Sequence, residues 1–451
     1  MSHKKIIYQL TDKRIPAVTG IGLAGDILAD AGFQKRFNRM TVAKKRSGKQ
    51  IGSGSILTAF IALLCMGKPD FENVRELQND AAFYSNALHL NGLPSEATLR
   101  LRMDEIGSRF RNELLQFSAD MLKSKHIIPT ALNNGLVPVD IDVTPMDNSK
   151  TKKEGVSRTY KNFDGYAPIM AYIGKEGYLV NTELREGKQH CQKGTPVFLR
   201  QTLKLSRTIT SEPLLVRLDS GNDAAENMGI MLEEGAFYII KRNLRKEDRL
   251  AWAENIRSWC KDVRRPREGK TVYIGTTFKD VTYKTESGEE KTVGNRIVYE
   301  MIERTSKADG QMFLIPDIEL NMFWTNLGDG DQDIINLYHA HGESEQFHSE
   351  IKTDMGVERL PSGKFATNEL VLELTLIAYN ILRMIGQEAV MQGNAPAKRT
   401  VSRKRIRTVI QNVIHFAGLA VDHSRRVILS LSSSNAWTKC FLGLTRRFCS
   451  C

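Results

Sequence analysis

Two carboxylates close short apolar runs. Asp142 lies at the end of Leu136-Val-Pro-Val-Asp-Ile-Asp-Val143, and Asp219 ends Leu214-Leu-Val-Arg-Leu-Asp219. Both runs read as β-strands, because apolar and β-branched residues are bounded by turn residues. Carboxylates at the C-terminal tips of neighbouring strands face the crevice where α/β sheets bind ligands. A third carboxylate comes from a helix expected over 331–353. There Tyr338, His341, Glu345 and Lys352 are spaced so that all four share one helical face. A face holding a phenol, an imidazole, a carboxylate and an ammonium is not a packing stripe. The bland alternative is a solvated amphipathic face.

Other motifs carry less. Gly20-Ile-Gly22-Leu-Ala-Gly25 matches a dinucleotide-binding pattern, but the strand before it is barely formed. Lys44-Lys-Arg46 also stands where that pattern needs an acidic residue. A turn at the start of a helix fits it better. No phosphate-binding GxxxxGK[ST] loop is present. The six cysteines show no CxxC spacing, so neither a zinc site nor a disulfide framework is expected. Asp140-Ile-Asp142 resembles a metal-binding DxD, a signal too short to stand by itself.

The elements that must position these residues divide the chain by pattern. Residues 1–135 form a helical N-terminal region, with a DNA-binding unit expected around helices at 73–90 and 95–125 and Ser95 as an N-cap. Residues 136–245 alternate strands and helices, the first part of a mixed α/β core. Residues 246–318 read as a β-rich insertion, with runs at 271–275, 278–284 and 296–304 and a hairpin turn at Ser287-Gly288. Residues 319–395 return to the core, and residues 396–451 form a basic helical tail.

Charge narrows the class of partner. The 451 residues carry a formal net charge of +12. Residues 1–50 balance at +8 and residues 396–451 at +10, leaving the middle at −6. Basic ends are what phosphate backbones require, since each neutralised phosphate releases a condensed counterion. The strongest local contact set is Lys398, Arg399, Arg403, Lys404, Arg405 and Arg407. A solvated basic linker is its plain alternative. DNA held against an acidic centre needs divalent metal between carboxylate and phosphate. No run reaches the ~18 apolar residues of a membrane span, and the N-terminus is too polar for a signal peptide. A reducing cytoplasm is therefore the expected compartment.

The spacing also resembles a known family. Tyr338-His-Ala-His341-Gly-Glu-Ser-Glu345, followed six residues on by Lys352, is similar to the Y-x2-R-x3-E-x6-K signature of DDE transposases from bacterial insertion sequences, with His341 where the family has Arg. Asp140-Ile-Asp142-Val-Thr144 resembles that family's D-x-D-x-T. Arg217-Leu-Asp219-Ser220-Gly221 resembles its R-x-D-S-x-F, with Asn222 in place of the aromatic. Leu93-Pro-Ser-Glu-Ala-Thr-Leu99, Phe163-Asp-Gly-Tyr-Ala-Pro168 and Ala378-Tyr-Asn380 are further echoes in the same order.

The resemblance implies an RNase H-like core interrupted by the β insertion. It implies Asp142, Asp219 and Glu345 as catalytic residues and metal ligands. They would hold two Mg²⁺ ions, with Mn²⁺ as a substitute, and Asp142 would be shared between them. Metal relieves the mutual repulsion of three carboxylates and sets up in-line displacement at phosphorus. Tyr338, His341 and Lys352 would contact phosphates of the transferred strand. The implied activity is binding of terminal inverted repeats, Mg-dependent endonuclease cleavage and strand transfer to target DNA, with a homodimer joining two ends. Alternatives are an RNase H-like nuclease without strand transfer, or a non-catalytic DNA-binding protein derived from a transposase. Relatives stack a flipped base on an aromatic near the insertion. Trp252, Trp259 and Trp324 lie in that interval, and burial is the expectation for Trp324, on a strand returning to the core.

Overall fold

The computed structural model describes residues 3, 5–40, 51–396, 401–424 and 426–449. Lys398 and Arg399 lie outside the described residues. The chain divides into two compact units: one of residues 1–109, 353–357 and 377–451, the other of residues 110–352 and 358–376. The helix Arg111–Ser124, expected with the N-terminal region, belongs to the second unit. No helix among the described residues is long and apolar enough to cross a membrane.

The second unit is built on a mixed sheet. Its strands are β1 (Val137–Val143), β2 (Ile169–Ile173), β3 (Tyr178–Glu183), β4 (Leu214–Leu218), β5 (Phe237–Lys241), β6 (Asp262–Arg267), β7 (Lys270–Lys284), β8 (Glu290–Ser306) and β9 (Met312–Thr325). They lie in the order β3-β2-β1-β4-β5-β9-β8-β7-β6. β1 runs antiparallel to β2 and parallel to β4, and β4 is parallel to β5. β2 and β4 are buried along their whole length, as near-continuous apolar runs require. β9 then returns antiparallel to β5, and β9, β8, β7 and β6 form a meander. The insertion strands are longer than the sequence runs suggested. Two expected runs merge into the 15-residue β7 because Thr276 and Thr277, polar but β-branched, carry the strand through.

The helix expected over 331–353 is broken. It consists of an α-helix at Asp331–His339, a 3-10 turn at Ala340–Gly342, an α-helix at Glu343–Ser349 and a π turn at Glu350–Asp354. Gly342 falls in the middle, where glycine costs about 1 kcal/mol relative to Ala. The first segment seats Ile334 and Ile335 in a core with Leu215, Ile239, Val298 and Phe323. Leu215 shares its sheet face with Arg217 and the following Asp219, by the two-residue alternation of a strand. The segments leading to Glu345 therefore cover the face that carries the acidic residues.

The first unit is mainly helical. Its helices include Ile21–Asp30, Ser53–Cys65, Ala81–Ala87 and Glu96–Ile106, the last capped by Ser95, whose Oγ accepts from Thr98 N at 3.2 Å. Gly20 precedes a helix, as expected. Gly25 is required because a Cβ there would lie 2.0 Å from the Ala87 carbonyl oxygen. The expected helical tail differs. After the short helix Ile406–Val409 the chain forms a hairpin of Leu419–His423 with Arg426–Ser430, and only then the helix Thr438–Phe448. β-branched Val421, Val427 and Ile428 favour extended backbone in both hairpin segments.

Candidate active site

The register of β1 and β4 sets the site. Asp140 is paired with Arg217, and Ile141 with Leu218. One step further, Asp219 is level with Asp142 at the tips of two adjacent parallel strands. Alternation puts Asp140, Asp142, Arg217 and Asp219 on one face, as a lower and an upper row.

The lower row is a buried ion cluster. Arg217 donates from Nε and Nη2 to the two Asp140 oxygens at 2.6 and 2.7 Å, and from Nη1 to the Leu337 carbonyl at 2.7 Å. His341 Nδ1 lies 2.9 Å from Asp140 Oδ1. Burial opposes the Asp140 charge, but Arg217 and His341 outweigh it and hold the carboxyl below its usual range. Burial likewise opposes the His341 cation, and Asp140 outweighs it, so the imidazole titrates above its ordinary value. The sequence made His341 a phosphate contact. The structure seats it 7% exposed with its ring engaged on Asp140, where it ties the late helical segments to the sheet.

The upper row is acidic. Asp142 accepts from Val143 N at 2.7 Å. Burial first, then the nearby charge of Asp219, with Glu345 adding to it, pushes its carboxyl up to about 6 against the opposing pull of His341. Asp219 Oδ1 accepts from Asn222 Nδ2 at 2.8 Å and Gly221 N at 3.2 Å. Asn222, standing where the resemblance expects an aromatic, thus holds the carboxylate in place. Glu345 is exposed on the helix Glu343–Ser349. One turn later, His348 is buried with Nδ1 3.9 Å from Asp142 Oδ2. Burial and the cations of Lys352 and His341 push it down to about 3, so it stands there neutral.

Of the remaining expected residues, Tyr338, Lys352 and Lys404 are half-buried or buried, whereas Arg405 and Arg407 are exposed. Tyr338 packs its ring 4.6 Å from Phe323 and 5.9 Å from His341. Burial, then Asp219 and Asp142, raise its phenol. Lys352 donates to the Pro145 carbonyl at 3.1 Å. In the first unit, Lys404 is buried with its ammonium 5.9 Å from the Trp437 ring centre. Arg405 Nε donates to Asp354 at 2.8 Å, and Arg407 Nε is 3.5 Å from the same carboxylate. Arg403 is half-buried. Arg405 and Arg407 thus compensate Asp354, whose side chain is fully enclosed. Trp324 is buried as expected; its Nε1 donates to Asp223 at 2.9 Å and Arg242 lies 4.6 Å from its ring centre.

A family model described as Transposase DDE domain group 1 matches residues 1–449. The chain belongs to that transposase family. The chain is also similar to a solved structure, the cryo-EM structure of a piggyBac transposase synaptic complex with hairpin DNA. Identity is 10% and the TM-score 0.43, over 88% of this chain and 81% of that one. No curated protein matches it.

DDE transposases as a family work with divalent metal, and the donor set of this transposase can be tested for it. Among the described residues no three His, Cys, Asp or Glu side chains are gathered tightly enough to chelate a single ion. What exists is Asp142 in the field of both Asp219 and Glu345, all three with hard oxygen donors. These oxygens are of the kind that hard divalent cations take. Burial first, and then the neighbouring Asp219 charge, disfavour ionised Asp142, which a bound cation would offset. The residues fit the group.

Sequence reasoning passed over Arg217 as a structural cation, and passed over His348. The i+2 alternation from Asp219 and Asp142 was the signal for the first. For His348 it was the i+3 step from Glu345.

Proposed function

We propose that this transposase binds the terminal inverted repeats of its own insertion sequence, cuts DNA there with Mg²⁺ and joins the freed 3′ ends to target DNA. Asp142, Asp219 and Glu345 form its catalytic triad. The observation that carries the reading is that Asp142 and Asp219 each come one residue after the last β1–β4 register pair, Ile141 with Leu218, with the Glu345 charge acting on Asp142. The order β3-β2-β1-β4-β5, with β3, β2 and β1 antiparallel and β4 and β5 parallel to β1, supports an RNase H-like core. β6 to β9 are then the insertion between the second Asp and the Glu.

Each residue has a task. Asp142, Asp219 and Glu345 would hold the metal. Mg²⁺ held there would supply activation of a water or 3′-hydroxyl and charge stabilisation at the leaving oxygen. Asn222 and Gly221 N orient Asp219, and Val143 N orients Asp142. Asp140, Arg217 and His341 hold the strand tips and the Glu345 segment in one frame. Two copies of the chain would bring two element ends together.

The test uses labelled duplexes carrying the repeats that bracket the reading frame. Asp142→Asn, Asp219→Asn and Glu345→Gln should each abolish Mg-dependent cleavage and strand transfer while retaining gel-shift binding. A Glu345→Gln protein that cuts at near the wild-type rate would overturn the triad.

A further inference from the structure

The N-terminal arm presents apolar side chains that the helical unit leaves uncovered. Ile6, Ile7 and Tyr8 are 73, 80 and 90% exposed, and Leu10 is fully so. Strand alternation would put Ile6, Tyr8 and Leu10 on one face. The root of the arm, by contrast, is firmly tied. The Arg14 carbonyl accepts from Ala420 N at 2.9 Å, which sets the arm antiparallel to the hairpin strand Leu419–His423. The Arg14 guanidinium donates to Asp80 at 2.9 and 3.2 Å and to Asp422 at 2.5 Å. Continuing that register would bring Asp12 opposite Asp422, and like charges directly opposite each other oppose pairing. The chain bends there instead, with Lys13 N donating to Thr11 Oγ1 at 3.2 Å.

A cavity opens at the same place. It measures about 590 Å³ and is lined by Leu23, Phe83, Val427, Leu429 and Phe441, with Asp422 in its wall. Asp422 therefore belongs both to the root of the arm and to the cavity. A space of this size takes two or three large apolar side chains, the content of one face of the arm. Two arms could fill it: the chain's own or that of a second copy. A short tether gives an effective concentration of about millimolar, so an arm able to reach its own cavity would lie there. The single chain instead holds Tyr8 and Leu10 out in water, and the bend at Thr11 and the Asp12–Asp422 repulsion turn the arm away from its own hairpin. A second copy can present the same arm without that constraint at its root. Exchange about a two-fold axis is closed, since it uses both arms and both cavities.

We propose that two copies of this chain exchange N-terminal arms, Ile6, Tyr8 and Leu10 of each seating in the cavity beside the Leu419–Ser430 hairpin of the other. The exchange supplies a contact between the two copies that the reading above requires. Its test reads assembly without DNA or metal, so its failure would leave the triad standing.

Full-length protein carrying Tyr8→Cys or Leu10→Cys is oxidised with copper phenanthroline, and bonds to Cys449, which lines the cavity, are mapped by mass spectrometry. At least one of the two should run as a disulfide-linked dimer on a non-reducing gel, and Cys449→Ser should abolish it. In sedimentation, wild type should be a dimer. Tyr8→Asp should raise the dimer Kd by about 30-fold at each of two equivalent sites, the scale of an interface anchor, and so by ~10³-fold for the pair. Thr445→Trp, which fills the cavity from the helix Thr438–Phe448, should do the same. Mixing the Tyr8→Asp and Thr445→Trp chains should recover a heterodimer, because one sound arm still meets one open cavity. A bond from the introduced thiol to Cys449 of the same chain, or no bond to Cys449 from either position, would overturn the exchange. A monomeric wild type would overturn it as well. So would a Tyr8→Asp protein that stays dimeric and loses affinity for the terminal repeats, which would give the arm to DNA.

Discussion

Asp142→Asn should make the metal-free protein more stable. The Asp142 carboxyl is pushed up to about 6, chiefly by burial and by Asp219. An unfolded Asp titrates near ~3.9, so the difference is about two units, or ~3 kcal/mol at 1.36 kcal/mol per unit. The side chain is 24% exposed, so solvent screens only part of this, and ~3 kcal/mol is the upper end. The sign follows from linkage. A carboxyl whose folded pKa is raised binds its proton more tightly when folded, so its ionisation destabilises the fold. The penalty is absent below the unfolded value, grows through the interval between ~4 and ~6, and is complete above it. Asparagine keeps an oxygen for the Val143 N–H and removes the charge. Melting followed by circular dichroism in EDTA should therefore show the variant ahead by roughly 5–10 °C at pH 7.5, and level with wild type at pH 4. Mg²⁺ should raise the melting temperature of wild type and leave the variant unmoved. A variant that melts at or below wild type at pH 7.5, or with an advantage independent of pH, would refute the reasoning.

Three further outcomes are expected. Arg217→Ala strands Asp140 in the interior and should cost about 3–5 kcal/mol in urea unfolding; the double variant Asp140→Leu/Arg217→Met should recover most of it. His341→Ala removes a charged hydrogen bond worth ~1.5–3 kcal/mol. Because the His341 pKa is raised by Asp140, that deficit should be largest at pH 6 and shrink as the pH rises through the folded pKa, which paired melts across pH would read. Arg405→Ala leaves the enclosed Asp354 with Arg407 at 3.5 Å and should lower stability by ~1–3 kcal/mol, measured by thermal melting without DNA.

Much of the acidic site was legible because strand ends are local. Asp142 and Asp219 each follow an apolar run that a two-residue period identifies, and turn residues mark where each run stops. The signature around Glu345 was legible as spacing. Its helix was not: one continuous face was expected, and Gly342 together with a π turn divides it, so Tyr338, His341, Glu345 and Lys352 meet four different surroundings. The tail residues 419–430 carried β-branched Val421, Val427 and Ile428 within a basic composition, and the composition dominated the reading. The basic-tail contacts were assigned from charge, and Tyr338, His341 and Lys352 from the resemblance. Burial and partners, which decide whether a cation is available, are not written in the charge.

Sequence by itself determined which chemistry is present: hard carboxylate oxygens at strand tips, basic ends, and a β insertion between the second Asp and the Glu. These follow from short-range patterns, since period, turns and composition are set by neighbours a few residues apart. Tertiary structure decided which groups face each other. The parallel register of β1 and β4 pairs Asp140 with Arg217 and levels Asp142 with Asp219. It thereby turns one Asp of the DxD into an enclosed ion pair and the other into a carboxylate titrating near 6. Register between strands more than seventy residues apart depends on how two faces pack, and no local pattern encodes it.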